Sequence, residues 1–118
     1  MRLQKFSAHV LTFKLAAALE QYEVDVRRLV DTWLDTELYR QLEGELKQLR
    51  LYCASLPKLT VSWVAVLLSR ARLLHALSSH IPYAHTAAPR LLHEHLRAVE
   101  TLRKRCLRML GAEPVVVA

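Results

Sequence analysis

The chain is predicted to be all-α, an antiparallel up-down four-helix bundle, and three observations carry that reading. Of its 118 residues, 24 are leucine and 53% are hydrophobic, enough apolar surface for one core without covalent staples. Only 2 glycines and 4 prolines interrupt it, too few turn formers for a protein of many short strands. Leucines recur at steps of three and four through four long stretches, the period of an amphipathic helix.

The first helix is expected over residues 7–31, and it carries two apolar stripes. One runs through Leu11, Leu15, Leu19, Tyr22 and Val26 and on to Leu29 and Trp33; the other, on the opposite side, comprises Phe6, Val10, Phe13, Ala17 and Val24. The fuller stripe matches the spacing of the later helices and is assigned to the core. Asp31, Thr32, Asp35 and Thr36 prefer caps to helix interiors, which places a tight turn near residues 31–36.

The second helix, residues 36–55, has the cleanest seam: Leu38, Leu42, Leu46, Leu49, Cys53 and Leu56. Its other side, with Arg40, Glu43 and Lys47, is a solvated face. Pro57 in "SLPKLT" breaks the chain before a third helix over 60–79. There Trp63, Val66, Leu67, Leu73, Leu74 and Leu77 form one broad arc, and Val64 and Leu68 lie well outside it. Arg70 falls inside the arc and requires either a carboxylate partner, such as Glu43, Glu45 or Glu100, or snorkelling toward a helix end.

"HIPYAHTAAP" is expected as the loop to a fourth helix over 89–110. That helix turns Leu92, Leu96, Val99, Leu102, Cys106 and Leu110 inward, and Gly111 supplies its stop. Residues 1–111 are read as one domain and 112–118, "AEPVVVA", as a flexible tail. Cys53 and Cys106 lack metal or redox spacing and sit on leucine stripes, so both are expected as buried reduced thiols in a cytoplasmic protein. Lys14 interrupts the N-terminal apolar stretch that a signal peptide would need. "LTVSWVAVLL" is about half a membrane span, so neither a transmembrane helix nor a membrane partner is expected.

In a four-helix bundle every helix keeps an outer face, and a third helix with so few polar residues leaves apolar surface uncovered. Self-association is therefore expected, as a homodimer, or docking of an amphipathic helix from another protein. Phe6, Val10, Phe13, Ala17, Val24, Val64 and Leu68 are the candidate interface, and the function read from them is a non-enzymatic interaction or regulatory module. The formal charge of +6 also permits an acidic partner. Arg90, Arg97, Lys104 and Arg108 form a basic ridge on the fourth helix, the basis of an alternative reading as a nucleic-acid-binding regulator.

Five of the six histidines fall between His75 and His95. No H-E-x-x-H occurs, and "HEH" sends His93 and His95 to different sides of a helix, so surface and loop histidines are expected and no metal or cofactor. Two glycines cannot build a phosphate-cradling loop, and the carboxylates are expected mostly on outward positions without an acid/base pair. "RARLLH", from Arg70 to His75, and "RLLHEH", from Arg90 to His95, are both R-x4-H. That spacing resembles the motif of the HEPN family of metal-independent ribonucleases. The resemblance implies a helical dimer whose histidine transfers protons while arginine steadies phosphate. Ala71 and Leu91 stand where that family usually carries a polar residue.

Overall fold

The computed structural model describes residues 2–111, with the side chains of residues 2–7 and of Pro82 outside the description. The expected tail, 112–118, and the side chain of Phe6 therefore lie outside the described residues. Four long helices make up the bundle: α1 (Arg2–Asp31), α2 (Thr36–Ala54), α3 (Thr60–Ser78) and α5 (Ala88–Gly111). A one-turn helix, α4 (Pro82–His85), lies within the last connection, and a 3₁₀ turn, Pro57–Leu59, precedes α3. α1 begins five residues earlier than its periodicity indicated.

α1 packs against α2 and α5, and α3 packs against α5, with a looser α2–α3 side closing the ring. α1 and α3 therefore lie across the bundle from each other. Glu20 of α1 pairs with Arg103, while Arg27, two turns later, lines a groove with Pro89 and His93. These two levels show α1 and α5 running in opposite directions. The cross-section, 23 by 20 Å, is that of two helices by two at ordinary packing distance.

Most of the expected core is observed, with Leu11, Leu67, Leu74, Leu92 and Leu110 only partly buried at its margin. Leu15, Leu19, Tyr22, Val26 and Leu29 are buried, with the whole α2 seam from Leu38 to Leu56. Val66, Leu73 and Leu77 of α3 join Leu96, Val99, Leu102 and Cys106 of α5. Both cysteines are free and buried. Burial pushes the Cys53 thiol up to about 12 and that of Cys106 to about 11, so neither is a nucleophile at neutral pH.

The end of α1 differs from expectation in its chemistry. Leu34 N–H bonds to Leu29 C=O at 2.9 Å and Trp33 N–H to Val30 C=O at 3.1 Å, the paired bonds of a Schellman stop. Glycine usually occupies its left-handed position, yet here Trp33 (φ 54°) and Leu34 (φ 69°) take positive φ. Trp33 is consequently not part of the inward stripe: it is 43% exposed, and its ring meets His85 edge-on at 4.8 Å. Gly111, expected as the stop just beyond the last helix, is instead a residue of α5 and has no positive φ.

α2 then starts on Asp35, whose Oδ1 accepts from Leu38 N–H at 2.9 Å. That bond satisfies one of the donors a helix start leaves unpaired. Replacing Asp35 with alanine should cost about 1 kcal/mol, read as a lower urea midpoint at unchanged slope.

Candidate functional site

The outer helix faces are placed as expected. Val10, Phe13, Ala17 and Val24 of α1 are exposed, Phe13 to 64%. Val64 and Leu68 of α3 are exposed too, Leu68 to 58%. Val61, at 79%, extends this second stripe and was missed by the sequence reading, although its seven-residue spacing from Leu68 was visible. The stripes follow spacings of three and four on helices that sit diagonally. They form two apolar patches facing away from each other, not one.

Pro57–Ser78, the 3₁₀ turn with α3, is long and apolar enough by length and composition to cross a membrane, about twice the run read from the sequence. A core helix has the same qualities, and 39% of the apolar window is buried within the bundle.

The basic ridge of α5 also faces outward, with Arg90, Arg97, Lys104 and Arg108 all exposed. Glu94 interrupts it and pairs with Arg90 at 2.8 Å. Arg97 lines a shallow groove of about 390 Å³ between α1 and α5, where Glu23 and Glu100 balance the charge of Arg27 and Arg97. Arg103, by contrast, grips Glu100 through two bonds of 3.0 and 2.8 Å and holds its carboxyl below the usual range.

Inside the bundle lies a polar layer that sequence reasoning missed. His95 is fully buried, correcting the expectation of surface histidines. Its Nδ1 lies 2.7 Å from Ser69 Oγ and its Nε2 lies 2.7 Å from Tyr22 Oη. Ser69 Oγ–H donates to Val66 C=O at 3.1 Å, so its oxygen receives the Nδ1 proton. Tyr22 O–H then donates to Nε2. This assignment satisfies every group with a neutral imidazole. Burial, and then the charge of Arg70, lower His95 to about 4, while burial raises the Tyr22 phenol above its ordinary value.

Arg70 supplies the outer end of this chain. Of its three candidate partners it takes Glu43 of α2, and its guanidinium also reaches Tyr22. A second pair stands beside it: Asp25 of α1, fully buried, and Glu45 of α2, half-buried. These two are exceptions to the mostly outward placement of the carboxylates, in a pairing that the sequence did not reveal. All four long helices contribute to the layer.

The fold brings together one residue from each R-x4-H segment and leaves the other two apart on the surface. Arg70 and His95, one from each segment, are neighbours in the interior. His75 is exposed on α3 and Arg90 on α5. His95 is closed off from solvent, and the grooves beside Arg97 and beside Tyr39 are lined by other side chains. Among the described residues no three His, Cys, Asp or Glu side chains gather at metal-binding distance. Compared with known proteins, the chain matches no family model, no curated protein and no solved structure.

Two outcomes test the layer. Tyr22→Phe strands Nε2 of His95 and should cost about 1–3 kcal/mol in chemical unfolding. His95 has a folded pKa below its unfolded value, so its contribution is full above pH 6.5 and is lost as pH falls toward 4. Stability measured against a His95→Gln variant should therefore decline across that window, by up to about tenfold in folding ratio per pH unit.

Proposed function

We propose that this protein is a non-enzymatic helical interaction module that docks through its outer apolar faces, binding a second copy of itself or an amphipathic helix of another protein. The observation that carries the reading is the exposure of large apolar side chains at helical spacing: Val10, Phe13 and Val24 on α1, and Val61, Val64 and Leu68 on α3. Covering one such side chain contributes about 1.5–3 kcal/mol. Several together offset the several kcal/mol that association costs in lost freedom.

The mechanism is helix-in-groove or helix-on-helix docking, with apolar anchors at the centre and charged side chains at the rim setting orientation. On α1 the rim is Lys14, Glu20 and Arg27, and on α3 it is Arg72 and His75. The interior supports a non-enzymatic reading, because Ser69, His95 and Tyr22 are bonded to one another away from solvent. The buried reduced thiols fit a cytoplasmic location.

Light scattering of the parent, Phe13→Glu and Leu68→Glu proteins decides the matter. The parent is expected near twice its 13.6 kDa monomer mass, with one of the two changes returning it to a monomer. A monomeric parent removes the homodimer, and a dimer indifferent to both changes removes these faces.

The outward alignment of Arg97, Lys104 and Arg108 favours a second reading, binding to a nucleic-acid backbone along α5. A fluorescent oligonucleotide should then bind at low salt with a steep negative salt slope. Replacing those three residues by glutamine should flatten it. Absence of binding in about 20 mM salt excludes this role.

A further inference from the structure

The carboxyl groups of Asp25 and Glu45 meet across the α1–α2 seam with an incomplete set of donors. Asp25 Oδ2 accepts from Gln21 Nε2 and from Gln41 Nε2, each at 3.1 Å. Gln41 Nε2 also donates to Glu45 Oε2 at 3.1 Å. The remaining oxygens, Asp25 Oδ1 and Glu45 Oε1, are buried and have no hydrogen-bond partner among the described residues. Arg28 stands 3.5 Å from Asp25 Oδ1, close enough to supply charge but without a hydrogen bond to it.

With Arg70 taken by Glu43, the surroundings leave one cation, Arg28, for the two carboxyls. From α1, Tyr22 and Arg28 face the pair; from α2, Gln41, with Glu43 turned to Arg70. From α3, Arg70 is engaged by Glu43, and from α5 the neutral His95 reaches the pair only through Tyr22. Two adjacent carboxylates in such a site repel one another, whereas one proton between them supplies the missing donor to both orphaned oxygens.

We propose that Asp25 and Glu45 share one proton in the folded protein, and that this acid–carboxylate bond is a pH-sensitive clasp of the α1–α2 seam. The proton resides on Glu45, because Asp25 receives two amide N–H bonds and the Arg28 charge. Burial, and then the bond to Asp25, push Glu45 up to about 7. Burial raises Asp25, but the bonds from Glu45, Gln21 and Gln41 and the charge of Arg28 outweigh it and hold Asp25 low.

Glu45 has a folded pKa above its unfolded value, so its contribution is full below pH 4.5 and is lost as pH rises through 7. His95 acts in the opposite sense between pH 4 and 6.5. Above pH 6.5 the Glu45 effect stands clear of it.

The test is a carboxyl-carbon NMR titration of the whole chain from pH 4 to 8.5, with unfolding of the parent, Glu45→Gln and Glu37→Gln over pH 6.5–8. Glu37, exposed on α2, controls for loss of a surface charge. One carboxyl carbon should titrate near pH 7. The parent and Glu37→Gln should lose folding ratio as pH rises, by about fourfold in all across this window with most of the loss below pH 7.5, and Glu45→Gln should be flat. Titration of every carboxyl below about pH 5 overturns the clasp even if Glu45→Gln fails to fold. So does a parent profile matching that of Glu45→Gln.

Discussion

The constraint on which the rest of this structure depends is the neutral imidazole of His95. It carries a bond to α1 through Tyr22 and a bond to α3 through Ser69, so one side chain of α5 fixes the level of two other helices. The surrounding core is mostly leucine, and leucine is a poor register marker. Sliding a helix by one turn exchanges one leucine for another at small cost. The same slide separates His95 from Tyr22 and Ser69 and leaves its buried ring nitrogens without partners, a penalty of about 1–3 kcal/mol for each. A buried polar layer of this sort lowers the stability of misaligned bundles more than it raises that of the native one.

The connections work to the same end with different chemistry. Trp33 and Leu34 accept left-handed backbone at about 1–2 kcal/mol per residue, a cost that glycine would avoid. What they provide is side chains. Leu34 packs on the core beside the α1 terminus, and the Trp33 ring reaches His85. The α1–α2 turn is thereby joined to the α3–α5 connection at one end of the bundle. His85 Nε2–H in turn donates to Ser79 C=O at 2.8 Å, holding that connection close to the end of α3.

The legible features are those written as periodicity. The α2 seam, the two sides of α5 and the inward stripe of α1 follow from the spacing of leucines, and the diads at residues 31–36 located the turn to within a residue or two. The polar layer was illegible because it is assembled from four helices. Asp25 follows Tyr22 by one turn on the inward stripe, and His95 precedes Leu96. Each reads alone as a boundary residue of an amphipathic helix. Only the relative level of the helices brings Asp25 to Glu45 and His95 to Tyr22, and level is what leucine repeats leave undefined. Arg70 was the exception, since a charge in the middle of an apolar arc must either find a carboxylate or snorkel to a helix end, and it finds Glu43. The phase of Trp33 failed for a related reason: a Schellman stop without glycine carries no sequence mark.

In the proposed module recognition belongs to the exterior, and the diagonal placement of α1 and α3 sets what the exterior can do. Their apolar stripes face opposite directions, so a single partner surface covers one of them at a time. If the α1 stripe of one copy met the α3 stripe of the next, each added copy would present a fresh stripe. Such a heterologous contact grows into a ring or a filament rather than closing at two. A closed homodimer must instead pair like with like, α1 on α1 or α3 on α3 about a two-fold axis. The unpaired stripe then appears twice on the dimer, on its two outer sides. In the proposed module, therefore, dimerisation and docking of another protein's helix are not competing uses of one surface: a two-fold contact occupies one stripe and leaves the other for a second kind of partner.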